Sequence, residues 1–137
     1  MKKALLFGSI GVLTETSELQ RRAYNKALKL NDIEYTWNIG TYCELLKKPG
    51  GKKRLSSFGG KILLDEQIEK IHIDKQQIFE DLVKDGIEPR PGCLQTLKKC
   101  KELGIKVGFV TTTTPKTINI IKEGLSKELI SGPVALA

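Results

Sequence analysis

Gly50-Gly51-Lys52-Lys53-Arg54 raises the first chemical question, because a Gly-Gly-led turn entering a helix lets backbone amides and cationic side chains converge on a phosphate. The same residues also read as a solvated basic turn, a reading that suits Lys53 better than Lys52 or Arg54. Thr111-Thr112-Thr113-Thr114 offers four hydroxyls in a row; by residue type alone it is equally a β-branched stretch leaving a strand and turning at Pro115. Metal and redox chemistry find less support. His72 is the only histidine, which excludes a histidine-based metal cluster, and a lone helical histidine reads as structural. Cys43, Cys93 and Cys100 are odd in number and lack CxxC spacing, so neither a disulfide framework nor a zinc site is indicated, and all three read as small apolar core residues.

Composition narrows the partners of such a site. The 23 Lys and Arg outnumber the 16 Asp and Glu, and the net charge of +7 favours anionic partners. Aromatics make up only 6% and do not interleave with the basic residues, which argues against nucleic acid. A length of 137 residues suits one domain or a small core carrying an insertion and is too short for two full domains. Lys2-Lys3 followed by apolar Ala4 to Leu13 mimics a secretory signal, but Thr14-Glu15-Thr16-Ser17-Glu18 follows instead of a small-x-small cleavage site. No run approaches the ~18 apolar residues of a membrane span. A reducing, cytoplasmic setting is the resulting expectation.

The elements that must position these residues follow from periodicity. Ala4-Leu5-Leu6-Phe7, closed by Gly8, and Ile105 to Val110 read as buried parallel strands. Ser17 with Gln20 forms a capping-box pattern opening a helix over Glu18 to Leu30. Thr36 is placed to cap a helix carrying Trp37, Tyr42, Leu45 and Leu46 that stops at Pro49-Gly50-Gly51. A longer helix is predicted over Asp65 to Lys84, then a stiff turn at Pro89-Arg90-Pro91-Gly92. Leu94, Leu97, Cys100 and Leu103 form the face of another helix, with Gly104 as its C-terminal cap. Lys116 to Gly124 reads as a further helix, and Pro133 to Ala137 as the start of a third strand. The pattern is α/β: a partial doubly wound parallel sheet (1–15 and 88–137) with a helical cap (16–87) inserted after strand one.

In that order the motifs resemble the haloacid-dehalogenase-like (HAD) phosphatases. Phe7-Gly8-Ser9-Ile10-Gly11-Val12-Leu13-Thr14-Glu15-Thr16 is similar to their first motif, hydrophobic-Asp-x-Asp-Gly-(Val/Thr)-Leu-x-Asp-(Thr/Ser). Gly50-Gly51-Lys52-Lys53-Arg54 and Phe109-Val110-Thr111-Thr112-Thr113-Thr114-Pro115 resemble the CbbY-like, β-phosphoglucomutase-like branch, supported by Leu19 to Asn25, Tyr42 to Leu46, His72-x-x-Lys75 and Arg90-Pro91-Gly92. The resemblance implies a Rossmann-like parallel sheet with a helical cap, and Mg²⁺-dependent hydrolysis of a sugar bisphosphate.

The resemblance also exposes departures. The family's leading Asp attacks phosphorus and the Asp two residues later moves the proton, but those positions are Gly8 and Ile10. A glycine cannot form an acyl phosphate, an isoleucine cannot carry a proton, and a hard cation loses affinity with each missing carboxylate. The expectation is therefore no catalytic residue, no metal site and no cofactor in this chain, although the family uses Mg²⁺. Ser17 stands where the family carries Glu, Gln20 where a His is frequent, and Glu15 at a usual Asp. Thr111 and Thr113 are the implied phosphoryl-binding hydroxyls, and Lys52 and Arg54, joined by Lys75, the implied contacts to a distal phosphate.

The sequence stops before the family's later Lys and acidic motifs, so a degenerate, C-terminally truncated, non-catalytic member with at most sugar-phosphate binding is expected. The alternative is an interaction module completed by a homodimer or a partner chain through the bare edge of strand one.

Overall fold

The computed structural model describes residues 2–8, 10–56, 63–111, 113–124 and 135–136. In chain order the elements are β1 (Ala4–Gly8), α1 (Ser17–Leu30), α2 (Ile39–Leu46), α3 (Gly51–Ser56), α4 (Asp65–Lys84), α5 (Cys93–Glu102), β2 (Lys106–Val110), α6 (Pro115–Gly124) and β3 (Ala135–Leu136). They form a mixed α/β protein with a small parallel sheet. The chain divides into two compact units, Met1–Thr16 with Val83–Ala137, and Ser17–Leu82, and each is described by itself.

The sheet unit has strand order β1-β2-β3. β1 and β2 are parallel from Ala4↔Lys106 to Gly8↔Val110, and β2 and β3 are parallel at Gly108↔Ala135 and Phe109↔Leu136. The α5–β2 connection is closed as the sequence predicts: Gly104, at φ +64°, lets its own amide reach Lys101 O at 3.2 Å and the Ile105 amide reach Cys100 O at 2.8 Å. Phe109, Ile118, Ile120, Ile121 and Cys100 are buried in this unit.

Strand β1 departs from the expectation of a buried strand. Leu5 is 36% and Leu6 60% exposed, because β1 lies at the sheet edge among the described residues and pairs only with β2. The loop after it is held firmly. The Gly11 amide donates to Thr14 O at 2.7 Å, Thr14 Oγ1 donates to Glu88 O at 2.8 Å, the Arg90 amide donates to Leu13 O at 2.7 Å, and Cys93 Sγ donates to Val12 O at 3.2 Å.

The helical unit packs Tyr24, Ala27, Leu28, Trp37, Tyr42, Leu55, Ile68 and Ile71 into one core. Trp37 is held at both backbone groups by one amide: its N–H donates to Asn25 Oδ1 at 2.9 Å, and its carbonyl accepts from Asn25 Nδ2 at 3.0 Å. This pinning keeps residue 37 extended, so α2 starts two residues later than predicted. Asn38, not Thr36, is its cap, with Oδ1 accepting from the Thr41 amide at 2.8 Å. Cys43 is exposed, correcting its reading as a core residue; Cys100 is buried and Cys93 half-buried. No described helix is long and apolar enough to cross a membrane.

Candidate functional site

The cationic residues singled out in the sequence lie in the helical unit, on α3 and α4. The Gly50-Gly51 pair is a geometric requirement for placing them. Gly50 has φ +106°, a conformation that L side chains rarely adopt, and a Cβ on Gly51 would lie 2.3 Å from Tyr24 Oη. Two glycines thus let the backbone turn and then press against the buried face of α1. Lys52 follows, its Nζ 2.5 Å from Glu69 Oε2 on α4, with both side chains about half exposed. Arg54 is half-buried, its Nε donating to Leu45 O at 3.3 Å.

Lys75 is the unusual member. It is only 3% exposed, and its Nζ donates to Gln20 Oε1 at 2.7 Å and Gln76 Oε1 at 3.1 Å. The nitrogen also lies 4.9 Å from the Tyr24 ring centroid and 5.0 Å from that of Phe79, within cation–π range. Burial, reinforced by the positive charge of Arg54, pushes its pKa down to about 7. His72, one turn earlier, is shifted below its ordinary value by burial and then by Lys75 and Lys52, with Glu69 opposing. Burial pushes the Tyr24 hydroxyl up, against the lowering effect of Arg54. Among the described residues His72 Nδ1 is buried without a hydrogen-bond partner, and Tyr24 Oη has none of good geometry, Arg54 being the side chain that acts on it.

The structure therefore brings Lys52, Arg54, His72 and Lys75 into one electrostatically coupled group. Sequence reasoning missed Gln20, Tyr24, Gln76 and Phe79 as its surroundings. One signal was available: Ile68, Ile71, Lys75 and Phe79 share a helical stripe, and a lysine on an apolar stripe must find internal partners.

The threonines belong to the sheet unit. Thr111 follows β2 and Thr113 is half-buried; the Thr113 amide donates to Thr111 Oγ1 at 3.1 Å, which folds the loop back on itself. Thr113 Oγ1 has no hydrogen-bond partner among the described residues. Thr114 caps α6, its Oγ1 accepting from the Thr117 amide at 3.3 Å, with Pro115 at the first helical position. The stretch thus divides into a loop-forming pair and a helix cap.

At the first motif, Gly8 ends β1 and Ile10 is half-buried. A Cβ on Gly8 would lie 3.1 Å from Val12 Cγ2, so a side chain there needs Val12, itself about half exposed, to shift by a few tenths of an ångström. Mg²⁺ takes oxygen ligands, chiefly carboxylates and waters. Gly8 and Ile10 supply no side-chain oxygen, and no group of three or more His, Cys, Asp or Glu converges among the described residues. These residues do not fit the ion that the first motif holds in its usual form.

A parallel sheet whose first strand ends in this motif, together with a helical unit carrying the Gly-Gly-cation turn, defines a class. The chain belongs to the haloacid dehalogenase-like hydrolase family, whose profile matches residues 2–132. Within it the similarity falls on the CbbY branch. Protein CbbY of Cereibacter sphaeroides is 36% identical over 120 residues, covering 83% of this chain and 51% of the relative. The crystal structure of CbbY from Rhodobacter sphaeroides with phosphate matches at a TM-score of 0.81 and 33% identity, over 90% of this chain and 57% of that one. A variant of that CbbY, solved with xylulose-(1,5)bisphosphate, matches at 0.80 and 32%, with the same two coverages. The chain spans about half the length of the curated relatives it matches.

Proposed function

We propose that this chain binds a phosphorylated sugar without hydrolysing it by the family's aspartyl-phosphate route. The observation that carries the binding half is the group of Lys52, Arg54, His72 and Lys75, in which one cation is buried against aromatic rings although no aspartate or glutamate among the described residues bonds to it. Phosphate and xylulose-(1,5)bisphosphate, the ligands solved in CbbY, give the chemical class. In the helical unit Lys52 and Arg54, joined by Lys75, are the candidate contacts to a phosphate; in the sheet unit Thr111 and Thr113 are the candidate phosphoryl contacts, through hydroxyl and backbone N–H donors. The non-catalytic half rests on Gly8 and Ile10, which offer neither a nucleophile nor a proton carrier. Gly8 and Ile10 likewise offer Mg²⁺ no side-chain oxygen. Three free cysteines, one of them exposed, favour a reducing cytoplasmic setting.

Urea unfolding with and without xylulose-(1,5)bisphosphate, paired with a phosphate-release assay, tests both halves. Ligand at 100 times its Kd should stabilise the chain by about 2.7 kcal/mol with no phosphate released, and Arg54→Ala should abolish most of that gain. A transition indifferent to ligand overturns the binding reading, and sustained phosphate release that disappears on chelating Mg²⁺ overturns the non-catalytic one.

The exposed β1 edge favours a second reading, an interaction module completed through that edge by a second copy or a partner chain. Among the described residues Leu5 and Leu6 stand exposed on a strand that pairs with β2 alone, a combination that templates strand addition. Sedimentation at two concentrations should then show mass-action association, which Leu6→Lys weakens at least tenfold. A monomer at every concentration removes the homodimer.

A further inference from the structure

The group around Lys75 has a property that the binding reading does not use: its nitrogen is built to exist with or without its proton. A neutral amine has two N–H donors, and two amide oxygens, Gln20 Oε1 at 2.7 Å and Gln76 Oε1 at 3.1 Å, stand ready to accept them. Adding a proton turns the remaining lone pair into a third N–H and a full charge, for which the faces of Tyr24 and Phe79 at 4.9 and 5.0 Å provide the stabilisation. Neither form requires the cage to be rebuilt. A carboxylate partner would have fixed the lysine as a cation, and purely apolar walls would have fixed it as an amine.

We propose that Lys52, Arg54, His72 and Lys75 form a proton-coupled anion site, in which an oxyanion binding beside Arg54 draws one proton from solvent onto Lys75 Nζ. The inference rests on the reading of this cluster as a phosphate contact and adds how occupancy is registered. Among the described residues the positive charges of this group act against one another, and Glu69 opposes them at His72. Arg54 on α3 disfavours protonation of Lys75 directly. Lys75, on the same helix as His72, and Lys52, on α3, both hold that histidine below its ordinary value. Glu69 on α4, the carboxylate acting on this group, is engaged with Lys52. Among the described residues α1 contributes the neutral Gln20 amide and the Tyr24 ring and hydroxyl, the latter held un-ionised by burial. A dianion placed among these cations reverses the balance, since an opposite charge close by favours the protonated form.

The free chain holds Lys75 poised at about 7, so the coupling falls in the physiological range. Binding above that pH takes up a proton, and affinity should fall up to about tenfold per pH unit over the one to two units above 7. His72, also depressed, adds a second and weaker uptake below its ordinary value. The site would therefore report pH as well as ligand: it is tighter when the surroundings are acid, and ligand release is accompanied by release of a proton.

The probe is inorganic sulfate, which stays a dianion from pH 6 to 9, so that any proton taken up belongs to the protein. Titration calorimetry of the full chain at pH 8 in two buffers of different ionisation heat measures the uptake. A substantial fraction of one proton per sulfate is expected. In Lys75→Arg, charged at every pH used, that uptake should vanish and binding should become nearly independent of pH. Because the buried arginine could fail to fold, the lysine Cε signals of the unaltered chain are also followed by NMR against pH, with and without sulfate; one midpoint near 7 should move up by one unit or more. Sulfate binding with no proton uptake and no moved midpoint overturns the coupling and leaves the anion site standing. No sulfate binding at any pH overturns the anion site, and the coupling with it.

Discussion

In urea unfolding followed through Trp37, the chain's one tryptophan, stability should climb as pH rises from 7 toward 10, and Lys75→Met should remove that climb. The lysine's pKa is about 7 when folded against 10.5 for the free side chain, so within this window the unfolded chain binds more protons than the folded one. Stability then rises with pH, by at most about 1.4 kcal/mol per unit and on the order of 4–5 kcal/mol across the window. Below 7 both states carry the proton, above 10.5 neither does, and the contribution is flat on both sides. His72, whose pKa is depressed, adds a rise confined to the region below its ordinary 6.5. Tyr24, whose pKa is raised, takes stability away only past 10. Methionine keeps the unbranched stem but removes the Nζ hydrogen bonds to Gln20 and Gln76, at roughly 1–3 kcal/mol. The variant should therefore be the weaker protein at pH 10 and draw level with the parent, or pass it, as pH falls toward 7. A parent curve flat from 7 to 10 would contradict the caging of this nitrogen.

The same lysine shows what the sequence disclosed and what it withheld. Elements governed by local rules were legible: α4 begins at Asp65 and ends at Lys84, as its acidic first turn and apolar spacing indicate, and Gly104 closes α5 because a left-handed residue is needed there. The strands were legible as runs, but the exposure of β1 was not, since burial depends on what lies beside and above a strand rather than on its own residues. The start of α2 was misplaced because Asn25, twelve residues away, holds Trp37 out of the helix. Gln20 matched a capping box locally, yet its carbonyl accepts from Lys75, fifty-five residues on. Lys75 itself was named only through the family resemblance. Its residue type suggests solvent, and only the stripe that it shares with Ile71 and Phe79 places it indoors.

What gathers these cations is ultimately a close approach between two helices, and that approach can be measured. Gly51→Ala should destabilise the chain by about 1–3 kcal/mol, because its methyl group would meet Tyr24 Oη at 2.3 Å and one of them must give way. Tyr24 has little room to retreat: it is fully buried, with its ring 4.9 Å from that of Trp37 and 6.2 Å from that of Tyr42. The hydroxyl contributes little to stability, since no hydrogen bond of good geometry reaches it and the Arg54 guanidinium is the polar group that acts on it. Tyr24→Phe alone should therefore cost less than about 1 kcal/mol or stabilise. Combining the two changes removes the obstruction. The double variant should recover most of what Gly51→Ala loses, giving a coupling of about 1–2 kcal/mol in a double-mutant cycle read by urea unfolding. Strict additivity would mean that the glycine is needed for its backbone rather than for the space. In that event the Gly-Gly pair would position Lys52 and Arg54 through the turn at Gly50 alone, and the packing of α3 against Tyr24 would follow from the turn instead of fixing it.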